Sequence, residues 1–191
     1  PWIAMEYMEG GTLNEQQSPL EMADVFGELE SLCEALHHAH RHGITHTDIK
    51  PENILFTQSA PEGIGKFSDW GLANVLLDHS MSVHGLTPDY SAPEQIQPEA
   101  YGGTDDRTDI YQMGVVAYEL FTGQRPHMGS SHGEVINRIL NEEPTAPSEL
   151  NPDLSEALDE VILTAIAKQK DNRYETALHF RDDLRRVYHS Y

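Results

Sequence analysis

Residues 109–123, DIYQMGVVAYELFTG, constrain this chain more than any other stretch. Wound as a helix, they place apolar side chains on nearly every side. Such a helix belongs in the centre of a core. Helices around it must then be amphipathic, and the spacing predicts three. Between Ser18-Pro19 and Gly43, the residues Val25, Phe26, Leu29, Leu32, Cys33, Leu36 and Ala39 recur at helical intervals. Proline suits the first turn of that helix, and His40, Arg41 and His42 suit its negative C-terminal end. Leu158, Val161, Ile162 and Ala165 mark a second helix; Ala177, Phe180, Leu184 and Val187 mark a third. Strand signals are few: Trp2 to Met8, ended by Gly10-Gly11, and the short runs NILFT and GKFSDW around a Pro- and Gly-rich turn. From Gly71 to about Arg107 no clear period is visible, and loops of that length in compact domains are usually functional. The expected architecture is mainly α with a few short β-strands, in a chain whose 191 residues suffice for a sizeable core.

The net charge is −20, with 32 acidic residues against 12 basic. Phosphate polyanions repel such a surface, which argues against a nucleic-acid partner. The acidic residues are spread through almost every segment, as on a halophilic, salt-adapted cytoplasmic protein; an ordinary acidic protein is the alternative. One cysteine, Cys33, excludes an internal disulfide and reads as a small core residue. There is no run of 18 apolar residues and no signal-peptide pattern in PWIAMEYMEGG, so no membrane segment is expected here and the location reads as cytoplasmic.

The stretch HTDIKPENIL places Asp48, Lys50 and Asn53 within six residues. Phosphoryl transfer needs a group to accept the hydroxyl proton, oxygen ligands for magnesium and positive charge on the phosphates. Asp48 can accept the proton, Lys50 can reach the phosphate, and Asn53 offers an amide oxygen. Asp69, in SDWG, offers a carboxylate to the same hard cations. Taken singly, Asp48, Asn53 and Asp69 also suit turns, Lys50 suits a solvated surface, and Asp109 suits the N-terminal cap of the central helix. His37, His38, His40, His42 and His46 cluster, and His38 and His42 have zinc-ligand spacing, but no cysteine or third ligand is placed with them.

HTDIKPEN resembles the catalytic loop of protein kinases, H-R-D-L-x-x-x-N. DWG resembles the magnesium-binding D-F-G, and TPDYSAPE the end of the activation segment. DIYQMGVVAYELFTG resembles the central helix of the kinase C-lobe, NRYETA its late arginine region, and PWIAMEYMEGGTL the hinge. The motifs follow in the family's order over essentially the whole chain. Lys50 and the Thr-Pro before A-P-E point to the serine/threonine branch, of a prokaryotic or archaeal-like kind. No G-x-G-x-x-G loop, V-A-I-K-like lysine or partner glutamate occurs, so residues 1–191 are expected to be a C-terminal lobe whose N-lobe is absent from this chain and is its partner.

The resemblance implies a role for each residue. Asp48 would be the catalytic base and Lys50 the phosphate contact. Asn53 and Asp69 would hold Mg2+. Met5 matches the gatekeeper, Glu6 and Met8 the hinge residues that hold the adenine of ATP, and Leu55 the apolar residue beneath it. Thr87 would touch Asp48 and Lys50. His46 and Asp109 would be structural, Asp109 holding the catalytic-loop backbone. Glu94 and Arg173 would form a buried ion pair anchoring the activation segment. Two departures stand out: Thr47 replaces the arginine of H-R-D, and Trp70 the phenylalanine of D-F-G. The implied function is transfer of the ATP γ-phosphate to a hydroxyl of a protein substrate, with the isolated lobe inactive. A pseudokinase or scaffold module is an alternative, disfavoured by the complete site; a small-molecule kinase is another, disfavoured by TPDYSAPE. The hinge surface around Trp2 and Ile3 is expected to favour self-association.

Overall fold

A computed structural model describes residues 6–16, 20–58, 63–70 and 88–191. The expectations for Trp2, Ile3, Met5, Thr87 and the helix start at Ser18-Pro19 lie outside these residues.

Helix α1, Met22–Arg41, buries Val25, Phe26, Leu29, Leu32, Cys33 and Leu36 along one stripe. Gly43, at φ 72, ends it, and its N–H donates to the His40 carbonyl at 2.9 Å. Burial pushes the Cys33 thiol up to about 12, which makes it an inert core residue. Two short strands follow, β1 (Ile54–Phe56) and β2 (Gly65–Phe67), paired antiparallel with Ile54 opposite Phe67. The other edge of β1 is taken by Gly10, Gly11 and Thr12: Gly10 N–H donates to Phe56 O at 3.0 Å, and Phe56 N–H donates to Gly11 O at 2.9 Å. Glu6 to Met8 are irregular rather than the end of a strand, and the chain first meets β1 at Gly10.

Among its described residues, the stretch read as aperiodic contains two four-residue helices, α2 (Pro93–Ile96) and α3 (Pro98–Tyr101). Each opens on proline and is too short to display a period. Helix α4, Asp106–Thr122, is the central one, with twelve residues from Thr108 to Phe121 buried. Asp105 caps it by accepting from Arg107 N–H at 2.9 Å, so Asp109 lies one turn inside and is not the cap. Helix α5 (His132–Asn141) went unread, since only Val135 and Ile139 are buried on it. After α6 (Pro147–Leu150) come α7 (Glu156–Ala165) and α8 (Ala177–Tyr188), whose buried faces match the two late periodic stripes. At Gly114 of α4 an added Cβ would lie 2.7 Å from Ile166 Cγ2 and 2.8 Å from Ala165 Cβ, so α4 approaches the end of α7 as only glycine permits. Among the described residues, no helix is long and apolar enough to cross a membrane.

Candidate active site

The loop between α1 and β1 is irregular backbone inside the protein, so its polar groups need partners. The fully buried Asp109 carboxylate supplies several. Its Oδ2 accepts from His46 N–H at 2.8 Å and from His40 Nε2 at 2.8 Å, and its Oδ1 accepts from Thr47 N–H at 2.6 Å. Thr47 sits at φ 62, a left-handed conformation unfavourable for a β-branched residue. Asp109, gripping two successive N–H groups, holds it there.

His46 is fully buried beneath the site. Its Nε2 faces the Ser68 carbonyl at 2.8 Å and its Nδ1 faces the Asp48 N–H at 3.3 Å. A carbonyl only accepts and an N–H only donates, so these partners select the neutral Nε2–H tautomer. The ring lies against Phe67 and against Trp70, at centroid distances of 5.6 and 4.8 Å. Trp70 thus covers the histidine of the same loop, and its Nε1–H donates to Phe67 O at 3.2 Å.

Asp48, Lys50 and Asn53 are joined directly. Lys50 Nζ donates to both Asp48 carboxylate oxygens, at 3.0 and 2.9 Å. Asn53 Nδ2 donates to Asp48 O at 2.8 Å and to Asp48 Oδ2 at 2.9 Å. Asn53 precedes β1 and Ser68 follows β2, and Ser68 N–H continues the ladder to Asn53 O at 2.9 Å. The sheet register thereby puts Asp69, exposed and at φ 60, at the same end of the ladder as Asn53. Leu55 points away from the core face that Ile54 and Phe56 share, as strand alternation requires. Met8 is half-buried, and exposed Glu6 pairs with Lys66 at 2.7 Å.

Glu94 and Arg173 form a bidentate pair with both side chains fully buried, at 2.7 and 2.8 Å. The remaining guanidinium hydrogens go to the carbonyls of Ala167, Arg107 and Lys168, at 2.7, 3.0 and 3.0 Å. The guanidinium also lies 4.7 Å over the Tyr111 ring. His42 Nδ1 bonds the His38 carbonyl at 2.8 Å, and among the described residues no group of three or more His, Cys, Asp or Glu is gathered as metal ligands would be.

Sequence reading missed three residues. The sequence places His40 at the helix dipole and in the histidine cluster, not at Asp109; its position one turn beyond Leu36 on the buried stripe is the available signal. Gln95 and Gln112 bond the backbone of the loop between α1 and β1 through their amides, and no motif announced them.

The family model for the protein kinase domain matches residues 1–183. The chain belongs to the protein kinase family. It is 37% identical to the serine/threonine-protein kinase PknB of Mycolicibacterium smegmatis, over 98% of this chain and 30% of that protein. A probable serine/threonine-protein kinase of Streptomyces coelicolor is 34% identical, over 96% of this chain and 28% of its own length. This kinase chain therefore spans about a third or less of the curated relatives it matches. A mutant PknI kinase domain of Mycobacterium tuberculosis shares its fold, with a TM-score of 0.69 at 23% identity, covering 96% of this chain and 64% of that one.

The family implies use of ATP and typically magnesium. The donor set fits a hard cation. Both Asn53 amide hydrogens are engaged by Asp48, which leaves its oxygen for a metal, and Asp69 is exposed. Two protein oxygens suffice where phosphates and water complete the octahedron.

Proposed function

We propose that residues 1–191 form the C-terminal lobe of a serine/threonine protein kinase that transfers the ATP γ-phosphate to a protein hydroxyl. The observation that carries the reading is the direct hydrogen-bonded set of Asp48, Lys50 and Asn53. Asp48 accepts the hydroxyl proton. Lys50 balances charge on the transferred phosphate, and Asn53 orients the Asp48 carboxylate. Asn53 and Asp69 would hold magnesium, which when bound neutralises phosphate charge. Leu55, with Met8, Glu6 and Met5, would line the adenine site, and Thr87 would meet the acceptor beside Asp48. Asp109 and His46 hold the loop, while Glu94 and Arg173 anchor the segment that precedes α2. The absence of a glycine-rich loop from the sequence supports an N-lobe as the partner that completes the nucleotide site, with no transfer by these residues alone. The strongly acidic composition supports a salt-adapted cytoplasmic setting, and the 84% exposure of Tyr7 supports a hinge surface open to self-association.

The test is Asp48→Asn in the full-length protein, with labelled ATP and a basic acceptor protein such as histone. Transfer should fall by about 10²–10⁴-fold, the usual worth of a positioned base, while nucleotide binding survives. Transfer at the wild-type rate would refute the assignment.

A further inference from the structure

The two peptide groups that flank Asp48 are held by one side chain. The carbonyl before Asp48 belongs to Thr47, and it accepts from Gln112 Nε2 at 3.3 Å. The N–H after Asp48 belongs to Ile49, and it donates to Gln112 Oε1 at 2.9 Å. These peptide planes set φ and ψ of Asp48, and hence the direction of its carboxylate. A single amide can bridge them because it carries a donor and an acceptor together. Gln112 is only 2% exposed, so the bridge is shielded from water, where its bonds are stronger.

Gln95 extends the bridge. Its Nε2 donates to the same Thr47 carbonyl at 2.8 Å, and its Oε1 accepts from Gln112 Nε2 at 3.0 Å and from Ala92 N–H at 3.0 Å. A continuous chain of neutral bonds thus runs from Ala92, at the start of α2, to both sides of Asp48. The Thr47 side chain adds nothing to it: the residue is 2% exposed and its Oγ1 has no hydrogen-bond partner. Position 47 supplies no charge with which a phosphorylated segment could pair.

We propose that Gln112 is a positioning residue for Asp48, and that Gln95 couples it to the segment at Ala92, so that this neutral bridge sets the base without segment phosphorylation. The inference rests on the reading of Asp48 as the base. The bridge bears on transfer rather than on nucleotide binding, since its bonds end on the Thr47 carbonyl and the Ile49 N–H, which flank Asp48, and not on Leu55 or the hinge.

The experiment measures kcat, KM for ATP and melting temperature of the full-length protein, with histone as acceptor. Gln112→Met conserves volume and removes the amide. It should lower kcat about 10–100-fold, the scale of an ångström-sized misplacement, with KM for ATP unchanged. Gln95→Ala, at a half-buried site, should give a smaller kcat loss in the same direction and decides the matter if Gln112→Met does not fold. Phosphatase treatment should leave wild-type kcat unchanged. Wild-type kcat in both variants, while Asp48→Asn is inactive, would overturn the inference and leave the base assignment standing. So would a kcat loss matched by a weakened KM for ATP and a large melting shift, which marks a role in the fold alone, or a kcat abolished by phosphatase. An Asp48→Asn variant that transfers at the wild-type rate would remove the base reading and this inference with it.

Discussion

Replacing Arg173 by methionine should be among the most damaging single changes in this protein. It removes one charge of a fully buried pair and leaves the other. Glu94 would keep only the Thr108 hydroxyl, which donates to its Oε1 at 2.8 Å. Breaking a buried pair from one side costs about 3–5 kcal/mol, because a charge is left uncompensated in a poor solvent. The carbonyls of Ala167, Arg107 and Lys168 lose their donors as well. Against a total stability of about 5–15 kcal/mol, such a loss is a large share of the whole. The double variant Glu94→Leu/Arg173→Met removes both charges and should cost less than Arg173→Met alone, since a buried pair can often be exchanged for apolar residues at little net cost. Denaturant unfolding of wild type, both single variants and the double variant, at fixed pH and salt, gives the cycle. The interaction term should be about 2 kcal/mol or more, at the upper part of the range for residues in contact. Additive single costs, or a loss below about 1 kcal/mol for Arg173→Met, would refute the reasoning from uncompensated charge.

Burial pushes the Glu28 carboxyl up to about 7 from its ordinary 4.5. The folded state therefore holds this proton more tightly than the unfolded state, so the contribution of Glu28 to stability is full below about pH 4.5 and is lost as pH rises through about 7. Glu28→Gln should remove that fall, adding about 1–3 kcal/mol near pH 8 and little near pH 4 in denaturant titrations; an equal effect at both would contradict it. Gly114→Ala should destabilise by about 1–3 kcal/mol despite alanine's better helix propensity, because its methyl group enters the contact with Ala165 and Ile166. Thermal unfolding checks this, and a variant as stable as wild type would show that α4 and α7 can part freely.

The large periodic helices were legible because burial alone dictates their pattern: the stripe from Val25 to Leu36 and the faces of α7 and α8 needed no tertiary context. The candidate site residues were picked out through motif order rather than through any property of one residue, and the structure joins three of them, Asp48, Lys50 and Asn53, by direct hydrogen bonds. What escaped reading was set by context. Helix α5 holds two buried residues, too few to state a period, and its cap at Ser131 is a common local feature. The four-residue helices α2 and α3 each open on proline and are too short to state a repeating pattern. Gln95 and Gln112 carry no compositional mark, since their value comes from backbone groups far away in sequence.

The central helix itself shows how a polar site can hide in an apolar pattern. Read as a period, DIYQMGVVAYELFTG has no polar face, and Asp109 looks like an N-terminal residue. In the structure Asp109 and Gln112 are three residues apart and therefore share one face, the face turned to the loop that carries Asp48. A loop drawn into the interior leaves N–H and C=O groups that an apolar helix could not satisfy. Asp109 answers the N–H groups of His46 and Thr47, and Gln112 answers the Thr47 carbonyl and the Ile49 N–H. Most of the rest of the helix, from Ile110 to Phe121, is apolar because it packs against core. A buried carboxylate and a buried amide at that spacing are thus what a buried loop held from below requires of the helix beneath it. The strained backbone of Thr47 is the local consequence: the loop takes the shape that these fixed partners allow, and Asp48 is presented from it.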